Sequence, residues 1–199
     1  MTVFVLATHN AHKLEELRRI LGDRLGHHQL VGYDGPDAVE DADSFEGNAL
    51  IKARAAAIFT DLPAIADDSG ICVDALDGQP GIHSARYAGT GDDGDNLRLL
   101  LRNMEGRKDR AARFVCAAAL VDVAALDSGT PFEHTERGVW PGSLLETPAG
   151  SGGFGYDPIF RPAGLDVSAA ELAPAQKDAD SHRGRAFGLL VAVLRARYG

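Results

Sequence analysis

Cysteine and lysine are both scarce in this sequence of 199 residues. The two cysteines, Cys72 and Cys116, are flanked by apolar residues and share no metal-type spacing. That excludes a zinc finger or a disulfide scaffold and points to reduced core thiols. No stretch reaches the roughly eighteen consecutive apolar residues of a membrane-spanning helix. The N-terminal Met1-Thr2-Val3-Phe4-Val5-Leu6-Ala7 has no basic segment ahead of its apolar run. It therefore reads as a strand and not as a secretion signal, and the chain is expected in the cytoplasm. Internal repeats and low-complexity linkers are missing too. With 45% hydrophobic residues, residues 1–199 can bury a core as one domain.

Positive charge is short as well. A formal net charge of -9 argues against general binding of nucleic acid or of an anionic membrane. A small phosphorylated ligand is still compatible, provided cations are placed locally. Only Lys13, Lys52, Lys108 and Lys177 stand against sixteen arginines, so the surroundings of Lys13 and Lys177 carry weight.

What is present centres on Ala66-Asp67-Asp68-Ser69-Gly70. The apolar Leu62-Pro63-Ala64-Ile65 ahead of it reads as a buried strand that delivers two adjacent carboxylates to a turn at Gly70. Such a pair suits Mg²⁺, which takes oxygen ligands and shares itself between one or two carboxylates and substrate phosphates. The same residues also suit a plain turn, because Asp, Ser and Gly all favour turns.

Upstream, Val3 to Ala7 is the first strand, and Leu14, Leu17, Ile20 and Leu21 recur at helical spacing. The polar Thr8-His9-Asn10-Ala11-His12-Lys13 between them points helix N–H groups and a lysine at whatever sits above the turn. A simple helix cap by Thr8 or Asn10 is the alternative. His27 to Tyr33 reads as a second strand, followed by an acidic loop with Asp34, Asp37, Glu40, Asp41 and Asp43. Ser44 is expected to cap a helix from Phe45 to about Phe59, with Ala49, Ala53 and Ala56 on a narrow face. Asn48 and Lys52 lie one turn apart on it.

Downstream, Asp77 to Gly89 forms a long loop, and Asp95 is expected to cap a helix striped with Leu97, Leu100, Leu101 and Met104. Ala111 to Val123 is an apolar strand, with Phe132 to Trp140 as its antiparallel partner. Gly150, Gly152 and Gly155 spell a literal G-x-G-x-x-G. A dinucleotide fingerprint has to open a helix, however, and Pro158 argues against one. The glycines instead let a loop carrying Phe154 and Tyr156 pass close to a ligand. Ser181 is expected to cap a final helix bearing Phe187, Leu190, Val191 and Leu194, with His182 and Arg183 in its first turn.

Five motifs in this order resemble the inosine triphosphate pyrophosphatase family. They are Thr8-x-Asn10-x-x-Lys13, Ala66-Asp67-Asp68-Ser69-Gly70, Pro80-Gly81-x-x-Ser84-Ala85-Arg86-Tyr87, Gly153-Phe154-Gly155-Tyr156-Asp157-Pro158 and Ser181-His182-Arg183. The resemblance covers essentially the whole chain. It implies an α/β fold of two lobes around a long mixed central sheet with flanking helices and an active-site cleft between the lobes. It also implies a homodimer, Mg²⁺ dependence, and hydrolysis of non-canonical purine nucleoside triphosphates to monophosphate and pyrophosphate.

Carried over by residue, the resemblance gives Thr8, His9, Asn10 and Lys13 to the triphosphate. Asp68 becomes general base and, with Glu40, metal ligand, and Ser69 touches phosphates or sugar. Phe154, Gly155, Tyr156, Asp157, Lys177, His182 and Arg183 form the base pocket. His9 stands where family members often have glycine. Phe45-Glu46-Gly47-Asn48 puts its acid one place earlier than the family's more usual Phe-x-Glu-Asn, which weakens a metal role for Glu46. The rival readings are a pyrophosphatase for other modified nucleotides and a non-catalytic nucleotide sensor.

Overall fold

The computed structural model describes residues 1–124 and 130–199. Two compact units divide the chain. The first comprises Met1–Asp68, Cys116–Gly138 and Arg183–Gly199, and the second Ser69–Val115 and Val139–His182. The division falls inside two of the motifs, between Asp68 and Ser69 and between His182 and Arg183.

In chain order the strands are β1 (Val3–Leu6), β2 (Gln29–Gly32), β3 (Ala64–Val73), β4 (Ala111–Asp122), β5 (Phe132–Leu144) and β6 (Phe160–Pro162). The helices are α1 (Ala11–Leu21), α2 (Phe45–Thr60), α3 (Asp93–Asn103), α4 (Pro174–Asp180) and α5 (His182–Tyr198). Six strands form one sheet in the order β2-β1-β3-β4-β5-β6. It is mixed: β1 runs parallel to β2 and β3, and β6 antiparallel to β5.

In the first unit α1 buries Leu17, Ile20 and Leu21, and α5 buries Phe187, Leu190 and Leu194. Both stripes meet Phe4, Leu6, Ile65 and Cys116 in one core. α2 starts at Ser44, whose hydroxyl accepts from the Gly47 N–H at 3.2 Å, as expected. Ala49, Ala53 and Ala56 are fully buried, so the narrow face packs closely. The second unit has its own core of Ile71, Leu100, Met104, Trp140, Ile159 and Phe160.

Several expectations shift. β2 is confined to Gln29–Gly32 at the sheet's edge. Asp92 caps α3 by accepting from Asp95 N–H at 2.8 Å, which moves Asp95 into the first turn. The glycine-rich loop, by contrast, opens no α-helix, as expected from Pro158, and leads into a short 3₁₀ turn at Asp157–Ile159.

The largest shift concerns Gly70. β3 continues straight through it to Val73, so no turn follows the acid pair. A Cβ at Gly70 would lie 2.3 Å from Gly81 O and 2.4 Å from Ser84 Oγ. Glycine is there because the Pro80–Ser84 segment presses on the strand, and Ser84 Oγ accepts from Ile71 N–H at 3.0 Å. Gly70→Ala is therefore expected to lower stability by about 2 kcal/mol through overpacking. Thermal unfolding reads this as a drop of roughly 4–8 °C.

Candidate active site

In the first unit the chain leaves β1 and enters α1 through the expected strand–turn–helix. Asn10 Oδ1 accepts from Lys13 N–H at 3.0 Å and caps the helix, while Thr8 Oγ1 accepts from Asn10 N–H at 3.2 Å. These bonds build the turn with the two oxygens, leaving the Thr8 hydroxyl proton and the Asn10 amide hydrogens as its donors. His9 Nδ1 lies 2.6 Å from Asp37 Oδ1 and ties the acidic loop to the turn. Asp37 is mostly exposed, so that pair adds little stability.

The adjacent acids of β3 meet different partners, because successive strand residues point to opposite faces. Asp67, fully buried, takes Lys13 Nζ at 3.1 Å and Arg183 Nε at 3.3 Å on the same oxygen, Oδ2. Arg183 Nη1 also donates to Glu16 Oε2 at 3.0 Å. Burial alone would raise the Asp67 pKa. Lys13, Arg183 and Lys52 outweigh it and hold the carboxyl well below the usual range. Its Oδ1 is buried with no hydrogen-bond partner among the described residues.

Asp68 faces α2. Asn48 Nδ2 donates to its Oδ2 at 3.3 Å, and Lys52 Nζ lies 3.4 Å from its Oδ1. Burial pushes its pKa up, with Glu40 and Asp67 adding and Lys52 and Lys13 opposing. The same Lys52 ammonium lies 3.2 Å from Glu40 Oε2, so Glu40 and Asp68 converge on one cation. Burial would lower the Lys52 pKa, but Asp68, Asp67 and Glu40 together raise it, and it stays charged. Asn48 Oδ1 accepts from Ala42 N–H at 3.0 Å and anchors the end of the acidic loop. Glu46 turns elsewhere and pairs with Arg137 at 3.2 Å.

In the second unit, Asp157 organises the glycine-rich loop. Its Oδ2 accepts from Phe154 N–H at 2.9 Å and from Lys177 Nζ at 2.6 Å. A Cβ on Gly153, whose φ is +69°, would come within 2.1 Å of that oxygen. The Lys177 ammonium sits 5.2 Å from the centre of the Phe154 ring. Gly155 N–H donates to Asp93 Oδ2 at 3.0 Å. The Tyr156 ring is packed into the core and its hydroxyl donates to Ser84 O at 2.8 Å. Its part in any pocket is therefore to hold the loop. His182 is buried and stacked on Phe114, with centroids 4.7 Å apart and planes at 10°. Ser69 is partly buried in β3.

Thus Lys13, Asp67, Asp68, Glu40 and Arg183 come together in the first unit, and Phe154, Asp157 and Lys177 in the second. Glu16 and Lys52 were given no role from sequence. Lys52 had a readable signal in its one-turn spacing from Asn48. Glu16 had only an i,i+3 spacing from Lys13, which ordinarily marks an exposed pair.

Among the described residues, no three His, Cys, Asp or Glu side chains cluster as a metal cage. The donor set nonetheless fits a hard dication: two carboxylates facing one cation, and a neighbouring buried carboxylate oxygen without a partner. Mg²⁺ takes its other ligands from water and phosphate.

Ham1 family sequences match residues 4–193. Among curated relatives, a dITP/XTP pyrophosphatase of Leifsonia xyli subsp. xyli is 55% identical, covering 98% of this chain and 97% of its own length. A dITP/XTP pyrophosphatase of Streptomyces coelicolor is 52% identical, with both chains covered in full. A solved HAM1 protein from Coxiella burnetii superposes with a TM-score of 0.86 at 40% identity, over 98% of this chain and 100% of that one.

Proposed function

This chain belongs to the Ham1 family, and from that premise we propose how its residues act. It is a nucleoside triphosphate pyrophosphatase that hydrolyses non-canonical purine nucleotides of the dITP and XTP kind. The products are nucleoside monophosphate and pyrophosphate. One domain over residues 1–199 carries the activity, supported by a family match across nearly its whole length. It works in the cytoplasm as a homodimer.

The observation that carries the mechanism is the divergence of two neighbouring carboxyls. Environments that push paired acids apart assign them different work. Asp67 is locked in its ionised form as an anchor for Lys13 and Arg183. Asp68, with its pKa raised, is the better proton acceptor near neutral pH. Thr8, His9, Asn10, Lys13 and Ser69 hold the phosphates. Asp68 takes a proton from water as the water oxygen attacks the α-phosphorus, the α–β anhydride bond breaks, and pyrophosphate leaves. Lys52 keeps Asp68 and Glu40 oriented. Mg²⁺ held by Asp68 and Glu40 would neutralise charge on the phosphates and polarise the phosphorus.

For the base, Phe154 offers a ring and Lys177 a cation above it, with Gly155, Tyr156 and Asp157 shaping the loop. His182 and Arg183 supply donors for the 6-keto oxygen of hypoxanthine or xanthine. Adenine presents an amino group there and would strand them. A hydrogen-bonded site can reject such a mismatch by about 10⁴-fold or more.

Product analysis with ITP, dITP, XTP, ATP and GTP, each with and without Mg²⁺, tests the reading. Monophosphate plus pyrophosphate is expected from the first three, and only with metal. Release of orthophosphate would mean another bond is cut. Tight binding of dITP with no product would favour a nucleotide sensor instead.

A further inference from the structure

One oxygen serves two cations in the first unit. Lys13 Nζ and Arg183 Nε lie 3.1 and 3.3 Å from Asp67 Oδ2, and the side chains of Asp67, Arg183 and Glu16 are 1%, 5% and 3% exposed. At this depth an uncompensated charge is costly, so each cation competes for whatever acid it can reach. Arg183 would win on geometry, since a guanidinium can grip a carboxylate with two N–H groups where an ammonium offers a point charge. Glu16 prevents this by taking Arg183 Nη1 at 3.0 Å.

We propose that Glu16 is a positioning residue for Lys13: by engaging Arg183 it keeps that guanidinium from taking over the Asp67 oxygen on which both cations converge. Lys13 is thereby held at the mouth of the turn made by Thr8 and Asn10, with its side chain 17% exposed. Glu16 acts on Lys13 through Arg183 and Asp67. Within this group two acids face two bases, so their formal charges balance. This inference rests on the proposed role of Lys13 at the phosphates.

The test is steady-state kinetics with dITP and Mg²⁺ on full-length wild type, Glu16→Gln, Glu16→Asp, Lys13→Ala and the Lys13→Ala/Glu16→Gln double variant. Glu16→Gln removes the charge and keeps the shape. KM is expected to rise about tenfold with kcat changed less than about threefold, the mark of lost ground-state binding. Glu16→Asp, which keeps the charge, is expected to lose less. In the Lys13→Ala background Glu16→Gln is expected to leave KM unchanged, because residues acting through one another are not additive. An unchanged KM in Glu16→Gln overturns the inference. So does an equal rise in both backgrounds, which a merely structural role would give. If Glu16→Gln fails to fold, the same cycle is read with Glu16→Asp, and an effect independent of Lys13 again overturns it. Wild type that releases no pyrophosphate from dITP would defeat the proposed function itself, a separate result.

Discussion

Asp68→Asn is expected to lower kcat on dITP by about 10³-fold or more, the scale of a lost general base, while leaving the melting temperature unchanged or slightly higher. The sign follows from the direction of its pKa. Folding raises the Asp68 pKa, chiefly by burial, so the ionised form is less welcome in the folded protein than in the unfolded chain. A neutral isostere of the same shape removes that penalty, although Lys52 loses one of two acidic neighbours. Asp67→Asn is expected to behave in the opposite sense. Its carboxyl is held far below the usual range, so its charge stabilises the fold and its loss lowers the melting temperature. Pyrophosphate release and thermal unfolding on both variants check the pair. Activity in Asp68→Asn above roughly a tenth of wild type would remove Asp68 as the base.

Lys177→Met is expected to cost about 3 kcal/mol of stability, because it removes the cation paired with the buried Asp157 carboxylate. For a chain of this size that is a fall of roughly 6–12 °C in melting temperature. The ion pair is short, at 2.6 Å, and the two side chains are 8% and 4% exposed. Phe154 N–H would remain as a donor to the same oxygen, but a neutral hydrogen bond does not replace an ammonium. The double variant Lys177→Met/Asp157→Asn is expected to recover most of the loss, since the carboxylate is gone along with its partner. If Lys177→Met melts like wild type, the pair contributes only to substrate binding.

How much of this could be read from sequence depended on whether local chemistry or distant packing decided the feature. The turn from β1 to α1 was legible because strand, cap and helix stripe are all local. Asn10 caps the helix, the alternative reading of that turn. The alanine face of α2 was legible from its spacing, and the family resemblance followed from motif order. Gly70 was misread as a turn because the reason for it lies in Gly81 and Ser84, which periodicity cannot see. Asp95 was expected to cap α3 but Asp92 does, because either acid can start a helix and only the backbone decides. Tyr156 looked like a pocket ring, but its hydroxyl bond to Ser84 O buries it. Glu16 was invisible: its partner, Arg183, lies 167 residues away.

The register of β3 against β1, with Val5 opposite Ala64 and Leu6 opposite Ile65, has a chemical meaning as well as a structural one. It assigns reactivity between two identical amino acids. A slip of one residue would turn both acids to the opposite faces and bring only one of them into the place the other leaves. The proposed anchor and base would no longer both meet their partners, although both acids remain in the chain. An insertion or deletion in the Leu62–Ile65 approach is thus a mutation of the active site, although it alters no residue that touches substrate.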